Sequence, residues 1–240
     1  MKNINGIIKE KCESSLLFFT RYIFKENTGI KFEVANFHIE LAQTLERVHK
    51  GEIKRLIINI PPRYGKTEIA VKMYISWCLA KNPRAKFIHL SYSDALALDN
   101  SSMTREYILS DAFQRIWQLT LKKDSQSRKK WYTTQGGGVY ATASGGAITG
   151  FGAGNGGAII IDDPLKPDDA LSDVRRGFIN NRYNTTIRSR VNDRDVPIIV
   201  IMQRLHEDDL SGYLLEGNSG EPWHHLKFSA IDALHFPVPY

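Results

Sequence analysis

An apolar run of strand length, Leu56-Ile57-Ile58-Asn59-Ile60, ends in the short loop Pro61-Pro62-Arg63-Tyr64-Gly65-Lys66-Thr67, and no other segment constrains the fold as strongly. Ile69, Ala70, Met73, Tyr74 and Trp77 follow at helical spacing and predict a helix with one apolar face. A strand, loop and helix in this order aim backbone N–H groups and the positive end of a helix dipole at one point, which suits a phosphate. Lys66 can reach β- and γ-phosphates, and the Thr67 hydroxyl can bind Mg²⁺. The segment therefore reads as the phosphate-binding loop of a nucleoside triphosphatase. It is a variant loop, because Ile60 stands where the usual G-x-x-x-x-G-K-[ST] pattern has its first Gly.

A second apolar run, Ala158-Ile159-Ile160-Ile161, closes on Asp162-Asp163, and Pro164 stops the strand. In P-loop enzymes the acid ending such a strand holds Mg²⁺, usually through water, and a neighbouring acid polarises the attacking water. Asp162 is assigned to the metal and Asp163 to the water; a pair that merely caps a turn is the plainer alternative. Taken with the loop, the pair predicts that ATP and Mg²⁺ are held by Gly65, Lys66, Thr67 and Asp162. Phe37 and His38 are candidates for the adenine pocket, with a core role for Phe37 equally open.

With 240 residues and 42% hydrophobic content, the chain can bury one sizeable core, and a single α/β domain is the economical reading. Further strands are expected near 86–92 and 196–202, with helices over about 37–48 and from about Asp94 to Leu109. This alternation predicts a parallel sheet covered on both faces. His89 falls within a strand and reads as a core residue. The net charge of +6 suits an anionic partner such as nucleic acid without demanding one. Cys12 and Cys78 are too few for a disulfide framework or a zinc site, which favours a reducing compartment. No apolar stretch reaches the roughly 18 residues of a membrane span. Leu16 to Phe19 is cut by Arg21 and Lys25, and reads as part of an amphipathic first helix packed on the domain.

Four polar regions remain. Residues 118–135, with Lys122, Lys123, Arg128, Lys129 and Lys130, read either as a solvated loop or as a contact to nucleic-acid phosphate. The glycines from 136 to 157 read mainly as turns around a hairpin strand at 139–143. Arg175, Arg176, Arg182, Arg188, Arg190 and Arg194 form either a charged solvent face or the source of an arginine finger for a neighbouring subunit. Gln203 and Arg204 end the 196–202 strand, where a sensor of the γ-phosphate would stand. His206-Glu207-Asp208-Asp209 reads as a helix start rather than a metal cluster.

Four stretches together resemble the ATPase domain of the large subunit of tailed-phage terminases. They are Leu45 to Gly51 running into Arg55 to Thr67; Ser91-Tyr92-Ser93 before a helix carrying Arg105; Gly150-Phe151-Gly152 before Ile159 to Pro164; and Met202 to Gly212. The resemblance covers about residues 37 to 230. It implies a three-layer αβα P-loop NTPase fold of ASCE, RecA-like type, which hydrolyses ATP to translocate double-stranded DNA into a procapsid. It further implies a homo-oligomeric ring on the portal protein, DNA delivered by a small terminase subunit, and a location in the host cytoplasm. It places Pro62, Arg63, Tyr64, Gly65, Lys66, Thr67, Glu68 and Gln203 around the nucleotide, and Thr67 and Asp162 on the metal. Asp163, Arg63 and Lys66 are the implied catalytic residues, Arg63 acting on the γ-phosphate in its own subunit. Asp163 stands where many members have Glu.

The implied organisation is a helical segment at 1–36, an ATPase domain at 37–230 with an insertion at about 118–157, and the start of a linker at 231–240. The family's C-terminal nuclease domain has no room in a chain ending at Tyr240, so a truncated or split protein without DNA cleavage is expected. The competing readings are a helicase-like ATPase core, which needs a second domain, and a nucleotide-gated DNA-binding module.

Overall fold

A computed structural model describes residues 4–229; the expected linker at 231–240 lies outside the described residues. Three helices come first, α1 (Ile4–Ser14), α2 (Leu16–Thr28) and α3 (Asn36–His49), followed by strand β1 (Arg55–Asn59). A π-helical segment, Glu68–Met73, runs directly into α4 (Tyr74–Lys81). Next are β2 (Lys86–Ser91), α5 (Asp94–Leu109), α6 (Asp111–Trp117), β3 (Leu121–Gln126), β4 (Lys130–Thr133), β5 (Gly138–Ala143) and β6 (Ile159–Asp162). The chain continues through α7 (Asp173–Arg182), β7 (Ile198–Met202), α8 (Leu210–Leu215) and β8 (His224–Lys227).

The eight strands form one sheet in the order β3-β4-β5-β2-β6-β7-β1-β8. From β5 to β8 all neighbours are parallel, and only the β3–β4–β5 edge is antiparallel. Strands buried on both faces need apolar side chains on both, which is why β6 and β7 read as unbroken Ile and Val runs. Alternation sends Ile58, Ile160 and Ile201 into a core shared with α1 to α6, and Ile57, Ile161 and Val200 into a core under α7 and α8. The result is a three-layer αβα architecture.

Parallel pairing also fixes where the loops emerge. Asn59 pairs with Met202, and Ile201 with Asp162, so the carboxyl ends of β1, β7 and β6 stand side by side. Ligands of open α/β sheets bind at this edge.

The structure departs from several expectations. The first helix is two helices, broken at Ser15, whose hydroxyl caps α2 by accepting from Phe18 N at 3.2 Å. The basic stretch is no loop but the β3–β4 hairpin, anchored by fully buried Trp131, whose Nε1 donates to Ser101 Oγ at 3.0 Å. The helix after the loop is buried on nearly every side, including Val71, Ile75 and Cys78, rather than on one face. Several glycines serve backbone contact instead of turns: a Cβ on Gly157 would lie 2.1 Å from Lys86 O, and one on Gly137 would lie 2.3 Å from Pro83 O. Among the described residues, no helix is long and apolar enough to cross a membrane.

Gly157→Ala should therefore wedge β6 away from β2. Overpacking of this kind costs about 1–3 kcal/mol. A denaturant titration should show an earlier midpoint; an unchanged midpoint would mean the sheet yields there without cost.

Candidate active site

Between Asn59 and Glu68 the chain crosses the carboxyl edge of the sheet. Its turn uses left-handed backbone at Arg63 and Gly65, both at φ 68°. Gly65 has no alternative, since a Cβ would also meet His38 Nε2 at 3.2 Å. His38 holds this loop from below. Its Nδ1 accepts from Ala35 N at 3.0 Å, so its Nε2–H donates to Tyr64 O at 3.2 Å. Burial lowers the His38 pKa from its ordinary value, which favours the neutral ring this pairing needs. Phe37 packs edge-on against Tyr64, ring centroids 5.4 Å apart. Phe37 and His38 thus underpin the loop, and both nitrogens of His38 are already used.

Four functional side chains converge above the strand ends. Lys66, almost wholly buried, places Nζ 2.5 Å from Asp163 Oδ2. Thr67 Oγ1 donates to Asp162 Oδ2 at 2.9 Å. Asp163 also has left-handed backbone, at φ 44°, which turns the chain sharply after β6. Its carbonyl accepts from Tyr92 N at 3.0 Å and its Oδ1 from Gln203 N at 3.3 Å, so β2 and β7 both steer it. Burial, and then the charge of Asp163, raise the Asp162 pKa to about 7, while Lys66 and Thr67 oppose the shift. Asp162 Oδ1 is buried and has no hydrogen-bond partner. A buried carboxylate oxygen with no donor, beside a Thr hydroxyl, fits a hard divalent cation such as Mg²⁺.

No protein-family model and no curated protein matches the chain. Among solved structures it is similar to the HK97 bacteriophage large terminase, with a TM-score of 0.57 and 15% identity, covering 90% of this chain and 43% of that one. The fold is that of a large terminase. A large terminase from a thermophilic bacteriophage, in complex with ATP-gamma-S, also matches with a TM-score of 0.48 and 14% identity, covering 81% of this chain and 46% of that one. The chain thus spans less than half the length of the large terminases it resembles.

Within this terminase fold, the other expected site residues fall into two groups. Pro62 and Arg63 are exposed at the loop surface, and the Arg63 guanidinium makes no ion pair among the described residues. Glu68 is turned away: its Oε1 accepts from Tyr107 Oη at 2.7 Å and its Oε2 from Lys72 Nζ at 2.6 Å. Its carboxylate is therefore already engaged within the fold. Gln203 touches the site through its backbone N–H. The Arg204 side chain is engaged by the turn that follows it. Its Nε donates to Asp209 at 3.1 Å, and its Nη2 to His206 O and Glu207 O at 3.2 and 3.0 Å. Fully buried Asp209 also accepts from Leu205 N and His206 N and caps α8 through Gly212 N, so this run is the expected helix start.

Of the six arginines from Arg175 to Arg194, three are tied into the fold, while Arg175 and Arg194 are exposed. Arg176 is buried and donates to Ala170 O at 2.6 Å, Arg182 donates to Ser144 O at 2.6 Å, and Arg188 donates to Ser219 O at 3.0 Å. Their guanidiniums are taken up by loop carbonyls. Asn59 is the residue that sequence reasoning passed over. Its amide donates to Met202 O and Ser211 Oγ at 3.1 and 3.0 Å, and its Oδ1 meets His225 Nε2 at 2.8 Å, tying β1, β7 and β8 together beside the loop. A lone amide in an apolar strand was the available signal.

The Asp162 shift sets a pH dependence. Its folded pKa of about 7 exceeds the ordinary 3.8, so folding takes up a proton between those values. The associated stability is fully present below about 3.8 and is lost as pH rises through about 7. In metal-free buffer, Tm should fall across about pH 5 to 8, and Asp162→Asn should flatten that slope; an equal slope in the variant would contradict the burial argument.

Proposed function

We propose that this chain is the ATPase motor domain of a terminase large subunit, hydrolysing ATP to drive double-stranded DNA into a procapsid. What carries the reading is the convergence of Lys66, Thr67, Asp162 and Asp163 at the carboxyl edge of a sheet with the terminase fold. These residue types make up a phosphoryl-transfer site.

In this reading the Lys66–Asp163 pair is a resting arrangement. Lys66 Nζ exchanges Asp163 for the β- and γ-phosphates when ATP enters, and Asp163 is released to orient a water in line with the γ-phosphate and accept its proton. Gly65, Lys66, Thr67 and Glu68 offer backbone N–H groups to the phosphates. Pro62 and Tyr64 shape the loop. Arg63, exposed and without an ion partner among the described residues, supplies positive charge to the γ-phosphate as negative charge builds there. Thr67 Oγ1 and Asp162 would hold Mg²⁺, which would supply charge neutralisation to the bound phosphates. Gln203 fixes the Asp163 carboxylate through its N–H.

The domain organisation belongs to the same proposal: an ATPase domain at 37–230 with an insertion at about 118–157, preceded by a helical segment at 1–36. So do the partners, namely a homo-oligomeric ring, a small terminase subunit, the portal protein and duplex DNA in the host cytoplasm.

Steady-state phosphate release tests the site. Lys66→Ala should abolish turnover. Asp163→Asn should bind ATP as tightly as the parent yet lose about 10²-fold or more in rate, the scale of general-base loss. Arg63→Ala should lower kcat by about 10²–10³, as expected for losing one donor to transition-state charge. Parental turnover in Lys66→Ala would place ATP elsewhere, and parental turnover in Asp163→Asn would remove that residue from the water-activating role.

A further inference from the structure

We infer that the β3–β4 hairpin is a docking surface for the phosphate backbone of duplex DNA; this rests on the reading above that duplex DNA is what the chain moves. The first observation is the distribution of charge. Residues 122–130 hold five cations, Lys122, Lys123, Arg128, Lys129 and Lys130, against the single acid Asp124. That is a net +4 of the whole chain's +6, concentrated in one hairpin.

The second observation is that this charge is not ion-paired, Asp94 acting on Lys129 only at longer range. None of the five forms an ion pair among the described residues, whereas beside β1 Lys54 pairs with Asp195 and Arg55 with Glu221. Lysines on an edge strand have a simpler role in blocking strand addition, and Lys122 and Lys123 on β3 fit it. Lys130 does not, because β4 is an inner strand, and neither do Arg128 and Lys129, which lie in the turn.

Third, the cations sit on a built support. Lys122 and Lys130 both approach the Tyr132 ring, at 5.9 and 5.4 Å, and Lys129 approaches Tyr140 at 5.9 Å. Tyr132 and Tyr140 both pack on Phe151, with centroids 5.7 and 5.8 Å apart. The turn itself is closed by Ser127, whose Oγ accepts from Lys130 N and donates to Lys130 O. Ammonium groups lying over aromatic faces keep their charge toward solvent and give up less freedom on meeting a phosphate.

Finally, the hairpin tip faces the edge that carries the candidate active site. Ala141 N bonds Lys129 O at 2.8 Å, and β5 runs parallel to β2 toward that edge. Five inter-strand steps separate β4 from β1, roughly 24 Å at the usual spacing. The end of β5 is held by Asp94, which accepts from Ala143 N and Thr142 Oγ1 at the start of α5. Ser144 N bonds Ser91 O, and the next residue along that strand, Tyr92, bonds Asp163 O. A backbone docked on the hairpin therefore lies three hydrogen-bonded steps from the residue assigned to activate water.

The test is fluorescence anisotropy of a labelled duplex oligonucleotide across a salt series. It uses the parent chain, the variant Lys122→Ala/Lys129→Ala/Lys130→Ala, and a control that removes three cations elsewhere, Lys9→Ala/Lys50→Ala/Arg84→Ala. Tm confirms that both variants fold. Each phosphate contact contributes about 0.9 to the slope of log affinity against log salt. The hairpin variant should lose about 2–3 units of that slope and at least about tenfold in affinity at moderate salt, and the control should lose little. An unchanged hairpin variant, equal losses in both variants, or no binding by the parent would each overturn the inference. Failure of the functional reading looks different: hairpin-dependent DNA binding by a chain that hydrolyses no ATP would leave this surface standing and remove the motor.

Discussion

The ion pair between Lys66 and Asp163 joins a loop at the end of one strand to an acid at the end of another, and the rest of the sheet exists in the arrangement that permits it. Both charges are largely withdrawn from water, so each is tolerable only because the other is there. Their meeting depends on β7 lying between β1 and β6 in parallel register, which pairs Asn59 with Met202 and Asp162 with Ile201 and so brings the strand ends to one edge. A slip of one residue in either ladder would turn the acids toward the opposite face.

Around that pair, polar side chains hold each loop in one geometry. His38 supports the phosphate-binding loop, Asn59 ties the strand ends, Asp209 gathers the turn after β7, and Asp94 anchors the end of β5. His38 and Asp209 thereby satisfy loop backbone groups, and leaving such a group buried and unpaired costs about 1–3 kcal/mol. The chain thus commits its interior polar residues to loop geometry. Apolar packing on the two sheet faces supplies most of the stability, and the loops that bear chemistry are fixed by directional bonds.

Much of this was legible beforehand. Gly65-Lys66-Thr67 and Asp162-Asp163 each follow an apolar run, and residues of that type at a strand end fall at the ligand-binding edge of a parallel sheet. Helix α5 begins and ends where its polar and apolar spacing placed it, and His89 is a core residue. What was not legible has a common cause. Lys130-Trp131-Tyr132 looks like polar loop because its alternation is short and its buried member, Trp131, finds its partner in α5. Arg176, Arg182 and Arg188 look like a charged face, yet carbonyls of other loops take up their guanidiniums, the acceptors of Arg182 and Arg188 lying far along the chain. The Glu68 carboxylate looks unengaged because Tyr107 is invisible from its neighbourhood in sequence.

Local pattern alone was enough for the strand–loop–helix unit, the acid-terminated strand and the alternation that makes a parallel sheet. These follow from propensity and hydrophobic period, which act over a few residues. The strand order, the pairing of Lys66 with Asp163, the engagement of Glu68 and Arg204 within the fold, and the grouping of lysines without ion pairs on an aromatic support arose only when the chain was assembled in three dimensions. Those outcomes depend on which distant groups share a low-dielectric interior, where hydrogen-bond demand and charge are settled between residues that no short stretch of chain brings together.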